Sequence, residues 1–255
     1  MDPEPAIEHW GGELERAIGA CPGCVVDRAV VLAETESTQD AALRAFDGHV
    51  PVAVIARRQT RGRGQRGNRW DDGDGDTLAM SIALPEEGLD PLRLAASAGL
   101  AALGAVRSVC SSEPRLLLKW PNDVIVRTPE GDRKVAGVLI EVRDGVAIIG
   151  IGINTRSRAW GGLEAVSIEE LVGATDRAAL ACTLILELTC WMNTDTAALR
   201  DAWGASDAMV GTRRAFLINN ERIEGGVIAL DPLGGIRVRT GSGERELDVR
   251  VTRNA

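Results

Sequence analysis

Apolar positions fall into short runs separated by glycine, aspartate and asparagine, and their spacing predicts strands and helices in alternation. The runs 28–33 (Arg-Ala-Val-Val-Leu-Ala), 51–58 (Pro-Val-Ala-Val-Ile-Ala-Arg-Arg) and 77–84 read as strands, the second as a buried one. One helix is expected over 7–18 and another over 41–46. Before the latter stand Ser37, Thr38, Gln39 and Asp40. Ser37 with an acid three residues on has capping-box spacing, which puts the hydroxyl pair at a strand-to-helix junction and explains Ser37 without further function. The Ala- and Leu-rich stretch 91–110, opened by Pro91, predicts a long helix. Strand fragments at 116–119 and 124–126 flank Trp120-Pro121-Asn122-Asp123, and 131–134 reads as a hairpin tip. The runs 135–142 and 146–153 are joined by Arg143-Asp144-Gly145, an Asp-Gly hairpin signal. Stretches 167–171 and 178–203 are helical in pattern, and 204–211 reads as a linker. From 213 to 251, short alternating strands with turns at Asn219-Asn220, Asp231-Pro232 and Gly241-Ser242-Gly243 predict a small β-barrel. The result is an α+β chain in three parts: a short extension (1–27), a main domain (28–205) and a C-terminal β domain (211–255).

Composition narrows the function. The hydrophobic fraction of 45% is that of a globular protein with a full core. A net charge of −8 argues against a general nucleic-acid or membrane binder, because both need a basic surface. No apolar run approaches bilayer-spanning length, and Met-Asp-Pro-Glu-Pro at the start lacks the character of a signal peptide, so a cytoplasmic location is expected. Cys21 and Cys24 form Cys-Pro-Gly-Cys, a redox-like spacing that is incomplete for structural zinc and reads as two buried or loop thiols. Cys110, Cys182 and Cys190 lie in apolar helical surroundings and are expected in the core.

Against that acidic background, residues 59–70 stand out as Gln-Thr-Arg-Gly-Arg-Gly-Gln-Arg-Gly-Asn-Arg-Trp. Glycines let a backbone approach a ligand closely, and arginines supply planar donors for carboxylate and phosphate. The segment matches neither the P-loop nor the dinucleotide fingerprint. It reads either as a loop that wraps a small anion or as a solvated surface loop. The following Asp71-Asp72-Gly73-Asp74-Gly75-Asp76 lacks calcium-loop spacing and reads as a solvated turn. Further on, Lys119-Trp120-Pro121-Asn122-Asp123 is costly to bury unless its polar groups are used. Lys134 stands at the mouth of Val135-Ala136-Gly137-Val138-Leu139-Ile140-Glu141, and Asn154 closes Gly150-Ile151-Gly152-Ile153. Each alone reads as a turn or cap; in this order they are no longer independent.

Together these segments resemble the biotin–protein ligases, over about residues 28–251. The carriers are Glu36-Ser37-Thr38, Gln59-Thr60 with the Gly/Arg loop and Trp70, Lys119 to Asp123, Lys134 to Glu141, Gly150 to Asn154, and the C-terminal β domain. The resemblance implies a mixed β-sheet with flanking helices, of the class II synthetase-like type, plus a small SH3-like β-barrel. Because the N-terminal segment is short, it implies the form without a DNA-binding domain. It implies an enzyme that makes biotinyl-5′-adenylate from biotin and ATP with Mg2+, then passes the biotinyl group to a lysine of a biotin carboxyl-carrier domain. Such an enzyme would be a monomer or homodimer with neither DNA nor membrane as partner. By similarity, Lys134 would bridge the biotin carboxylate and the α-phosphate with help from Arg63, since both steps handle negative charge. Ser37, Thr38 and Gln59 would bond the ureido ring, and Gly137 would let the strand run flush against the ligand. Trp70 would pack on the adenine; Asn154 and Arg66 would serve the nucleotide. Lys119, Asn122 and Asp123 would line the nucleotide and magnesium side, with no dedicated metal ligands in the protein. Asp123 would also orient or deprotonate the incoming lysine.

Two departures from the family pattern are visible. Its loop usually reads Gly-Arg-Gly-Arg, whereas this chain has Gly62-Arg63-Gly64-Gln65, which predicts a more loosely held adenylate unless Arg61 or Arg66 compensates. Gln39 stands where Asn is common after Ser-Thr. Two rivals come from other classes. A lipoate or octanoate transferase would need no ureido-binding Ser, Thr and Gln. A non-catalytic biotin sensor would not need Lys134 with Arg63.

Overall fold

The computed structural model describes residues 7–111, 115–218 and 221–254. Helix α1 (Ile7–Gly19) leads into strand β1 (Arg28–Thr35), helix α2 (Thr38–Ala45) and strand β2 (Val52–Gln59). The Gly/Arg segment contains one 3-10 turn, Gln65–Gly67, and is followed by β3 (Thr77–Pro85) and helix α3 (Pro91–Val109). A meander follows: β4 (Leu116–Lys119), β5 (Asp123–Thr128), β6 (Gly131–Arg143) and β7 (Val146–Asn154). Helices α4 (Ile168–Val172), α5 (Arg177–Asn193) and α6 (Thr196–Ser206) lead to β8 (Arg213–Ile218), β9 (Glu221–Leu230), β10 (Gly235–Thr240), β11 (Gly243–Asp248) and β12 (Thr252–Asn254).

The first seven strands form one mixed sheet in the order β1-β2-β3-β7-β6-β5-β4. Only β1 and β2 are parallel. The last five form an antiparallel sheet, β11-β10-β9-β8-β12, consistent with an SH3-like domain. This is the α+β arrangement expected. The central strands are covered on both faces, which is why β2, β3 and β7 read as continuous apolar runs instead of alternating ones. One face packs Ala53, Ile55, Leu78, Met80, Ile82, Ile149 and Ile151 against α1, α3 and α5. On the other, α2 sets Ala41 and Ala42 against Val52, Val54, Ala83, Val146 and Ile148. The helix is only 8 residues long and covers part of that face. The uncovered part is where the site forms.

Several boundaries differ from the sequence expectation. Residues 131–134 belong to β6, and the turn lies at Pro129 and Glu130. The expected helix over 178–203 is two helices. Asp195 accepts bonds from the backbone N–H groups of Ala197 and Ala198 and restarts the chain as α6. The expected linker at 204–211 is tied down, because Ala208 N donates to Leu118 O at 2.8 Å and Met209 is buried. In the first 27 residues, Trp10, Leu14 and Ile18 of α1 are buried in the main core. Helix α3 is long and apolar enough to cross a bilayer, contrary to the sequence reading, but most of it is packed against the sheet and α5. None of the five cysteines is in a disulfide; Cys110 is buried as expected, whereas Cys190 is exposed. The Asn219-Asn220 turn lies outside the described residues.

Candidate active site

Small residues make the recess. On the face shared with α2, Ser81 of β3 pairs with Gly150 of β7, which pairs with Leu139 of β6. One step along, Ala79 pairs with Gly152, and Gly152 with Gly137. With no Cβ at 137, 150 and 152, the sheet there becomes a flat floor. Its walls are the start of α2, the Gly/Arg loop and Trp70, around an open cleft. The floor is already occupied at its edges. A Cβ on Gly152 would lie 2.5 Å from the Trp70 ring, and one on Gly150 would lie 2.7 Å from Gln39 Nε2. Gly150, Gly152 and Ser81 were not singled out from sequence as site residues. Glycines alternating inside an apolar strand are the available signal, since period two puts both on one face.

The α2 end of the cleft is polar. Gln59 Oε1 accepts from Thr38 N at 2.8 Å and from Thr38 Oγ1 at 3.0 Å, and Thr38 Oγ1 lies 2.8 Å from Ser81 Oγ. Gln39 Nε2 donates to Leu139 O at 3.1 Å. The capping box expected at Ser37 does not form: Ser37 occupies the N-cap position without a side-chain bond to the helix. The acid it would have paired with, Asp40, is held instead by Arg63 and Arg143. Ser37 is buried and lines the cleft.

Beneath Gln59 the acidic turn is solvated at Asp71 and Asp74, as expected, but not at Asp72. Asp72 is only 2% exposed, accepts from Gln59 N at 2.5 Å and takes a hydrogen bond from Thr77 Oγ1. Burial pushes its carboxyl above the ordinary range, against the opposing bonds from Thr77 and Gln59. Buried Arg177 donates to the carbonyls of Gly75 at 2.7 Å and Thr77 at 2.9 Å, and its guanidinium stacks 5.2 Å from the Trp10 ring. Alternating Asp and Gly carries no sign of this, because the partner that orders the turn is about a hundred residues away.

The other end is cationic. Lys134 Nζ lies 2.5 Å from Asp123 Oδ1 and 5.3 Å from the Trp70 ring centroid. Its backbone is fixed on both sides, Lys134 N donating to Glu164 O at 2.8 Å and Val166 N to Lys134 O at 2.9 Å. Asn154 is buried behind it, with Nδ2 donating to Lys134 O at 3.1 Å and Val166 O at 3.2 Å. Asn122 lines the cleft and is stitched to β6 through Val138. Lys119 ends β4 opposite Asp123 in register and is not among the lining residues. Arg63 lines the cleft, while the side chain of Arg66 lies outside the described residues. Gln65 lines both this cleft and a neighbouring hollow formed by Trp120, Pro121, Trp203 and, from the β domain, Pro232 and Val249. Thus Ser37, Thr38, Gln59, Arg63, Trp70, Asn122, Lys134 and Gly137 converge on one cleft, Asp123 meets it through Lys134, and Asn154 supports it from behind. Among the described residues no group of three His, Cys, Asp or Glu could hold a metal ion.

Residues 31–156 match the Biotin/lipoate A/B protein ligase family. Over 198 residues the chain is 33% identical to a biotin–[acetyl-CoA-carboxylase] ligase of Mycobacterium tuberculosis, covering 72% of each protein. It is 36% identical over 131 residues to the corresponding ligase of Paracoccus denitrificans, a match spanning 49% of this chain and 53% of that one. Among solved structures, the biotin protein ligase of Aquifex aeolicus in complex with biotin and ATP superimposes with a TM-score of 0.78. That match is 25% identical and covers 90% of this chain and all of the other.

Proposed function

This chain belongs to the biotin–protein ligases, and from that premise we propose that it makes biotinyl-5′-adenylate from biotin and ATP and transfers the biotinyl group to a carrier-domain lysine. The observation that carries the proposal is the cleft's polarity. Hydroxyls and amides of Ser37, Thr38 and Gln59 stand at one end, suited to a ureido ring that both donates and accepts. A lysine stands at the other end, with a side-chain-free floor between them.

In the first step a biotin carboxylate oxygen attacks the α-phosphorus and pyrophosphate leaves. Lys134 would sit between the two anionic groups and offset the charge that builds there. In the second, the carrier lysine attacks the acyl carbon, AMP leaves, and Asp123 would orient the amine or take its proton. Trp70 would form the adenine wall, Asn122 and Lys119 would serve the phosphate side, and Asn154 would act by holding the Lys134 strand in register. Magnesium would come with the nucleotide phosphates, and Asp123, paired with Lys134, is a carboxylate it could share. The reaction belongs in the cytoplasm, carried out by a monomer or homodimer.

Incubation with biotin, ATP, magnesium and a biotin carboxyl-carrier domain, followed by intact mass and peptide mapping, tests the proposal. One biotin on one carrier lysine is expected. Product from lipoate or octanoate with none from biotin would replace the proposal with acyl-chain transfer.

Gln65 leads to a second expected result. A charged hydrogen bond is worth about 1.5–3 kcal/mol, so Gln65→Arg is expected to slow release of preformed biotinyl-adenylate about ten- to a hundredfold. Release into a chase of unlabelled ligand measures this directly. Equal off-rates for the two proteins would mean that the loop's other arginines already hold the adenylate.

A further inference from the structure

Arg63 lines the cleft, yet its guanidinium is engaged outside it. Nη1 lies 2.6 Å from Asp40 Oδ2 and Nη2 2.9 Å from Glu141 Oε2, with Gln39 Oε1 accepting at 3.2 Å. The same two carboxylates hold a second arginine. Arg143 Nη1 lies 2.8 Å from Asp40 Oδ1, and Arg143 Nη2 lies 3.1 Å from Glu141 Oε2. The four side chains close a ring of alternating charge, each between 26 and 33% exposed. They come from the Gly/Arg loop, from α2 and from the end of β6. Burial opposes the charge on Asp40, but the bonds from Arg63 and Arg143 outweigh it and hold the carboxyl below its ordinary range.

We propose that Asp40 and Glu141 are a parking site for Arg63, and that Arg143 is its standby counter-ion, which lets Arg63 turn into the cleft when the biotin carboxylate arrives. This rests on the proposed function of the cleft. The ring is neutral with both arginines. When Arg63 leaves, Arg143 still bridges both acids, so neither half-buried carboxylate is left without a cation. Without Arg143, the departure of Arg63 would strand two charges at once, which is the costly way to break a partly buried ion pair. Arg63 would then stay parked, and only a small fraction of molecules would have it free to meet an anion. Apparent affinity falls by that fraction. Asp40, Glu141 and Arg143 are on this account positioning residues that act through Arg63.

The test compares biotin with biotinamide, which keeps the ureido ring and side chain but has no carboxylate, by titration calorimetry. Arg143→Met is expected to weaken biotin about tenfold and leave biotinamide unchanged. Glu141→Gln alone is expected to tighten biotin several-fold, and the Arg143→Met/Glu141→Gln double variant to return biotin affinity toward the parent. Equal weakening of both ligands by Arg143→Met, or failure of the double variant to recover, would mean the ring is merely structural and would overturn the proposal. Should the unmodified protein bind neither ligand, the biotin reading of the cleft itself would fall, and this inference with it.

Discussion

Lys134→Gln is expected to lower the single-turnover rate of biotinyl-adenylate formation about 10²–10³-fold, the range seen when one preorganised charge-stabilising donor is removed. Glutamine keeps much of the length and the polarity but none of the charge. The backbone at 134 is fixed by Glu164, Val166 and Asn154 independently of the side chain, so the strand and floor should persist. Ser37, Thr38 and Gln59, at the other end of the cleft, should still seat the ureido ring, so biotin binding should suffer far less than the chemical step. Transfer from preformed adenylate to the carrier should suffer less than its formation, because only the first step brings two anionic groups together. Rapid-quench kinetics with labelled ATP separates the steps. A loss below tenfold in the first would mean that Arg63 already supplies the charge, and Lys134 would lose its central role.

How much of this was legible in the sequence depended on the range of the interaction. Strands β2, β3 and β7 could be read because burial on both faces leaves an unbroken apolar run. Lys119 to Asp123 and Lys134 to Glu141 could be read because a polar group beside a buried strand has to be used. Features set by distant partners were not legible. Asp72 lies in an Asp/Gly string that reads as solvent-facing, and only Arg177 and Thr77 make it a buried anchor for the Gln59 backbone. The break between α5 and α6 was hidden by helix-forming residues on both sides; Asp195 reveals itself only through its cap bonds. At Ser37 the local rule predicted a cap, but a local bond from Asp40 lost to two arginines, one 23 and one 103 residues away. Ser37, which makes no side-chain bond to the helix, lines the cleft.

The glycine floor supports the other large prediction. Gly152→Val is expected to raise KM for ATP about ten- to a hundredfold while leaving the fold intact, since a base stacked on an aromatic ring is worth about 1–3 kcal/mol. A Cβ at 152 would fall 2.5 Å from Trp70 Cε2 and Cζ2, where non-bonded carbons need about 3.5–4.0 Å, so the indole has to leave the floor. The strand can accept valine: β7 is a central strand, and β-branched residues suit it. The indole is the side that yields. It is only half-buried, and its Nε1 reaches Thr77 Oγ1 at a long 3.5 Å, so little holds it down apart from the floor and Lys134. Gly150, on the same face of the same strand, supplies the control. There a Cβ would meet Gln39 Nε2 at 2.7 Å, so Gly150→Ala should raise KM for biotin and leave that for ATP nearly unchanged. Thermal unfolding of both variants should stay close to the parent. A rise in KM for ATP with Gly152→Val and in KM for biotin with Gly150→Ala would fix biotin at the α2 end and nucleotide at the Trp70 end. If Gly152→Val raised both equally, Trp70 could not be the adenine wall, and the nucleotide would have to lie further toward the hollow shared with the β domain.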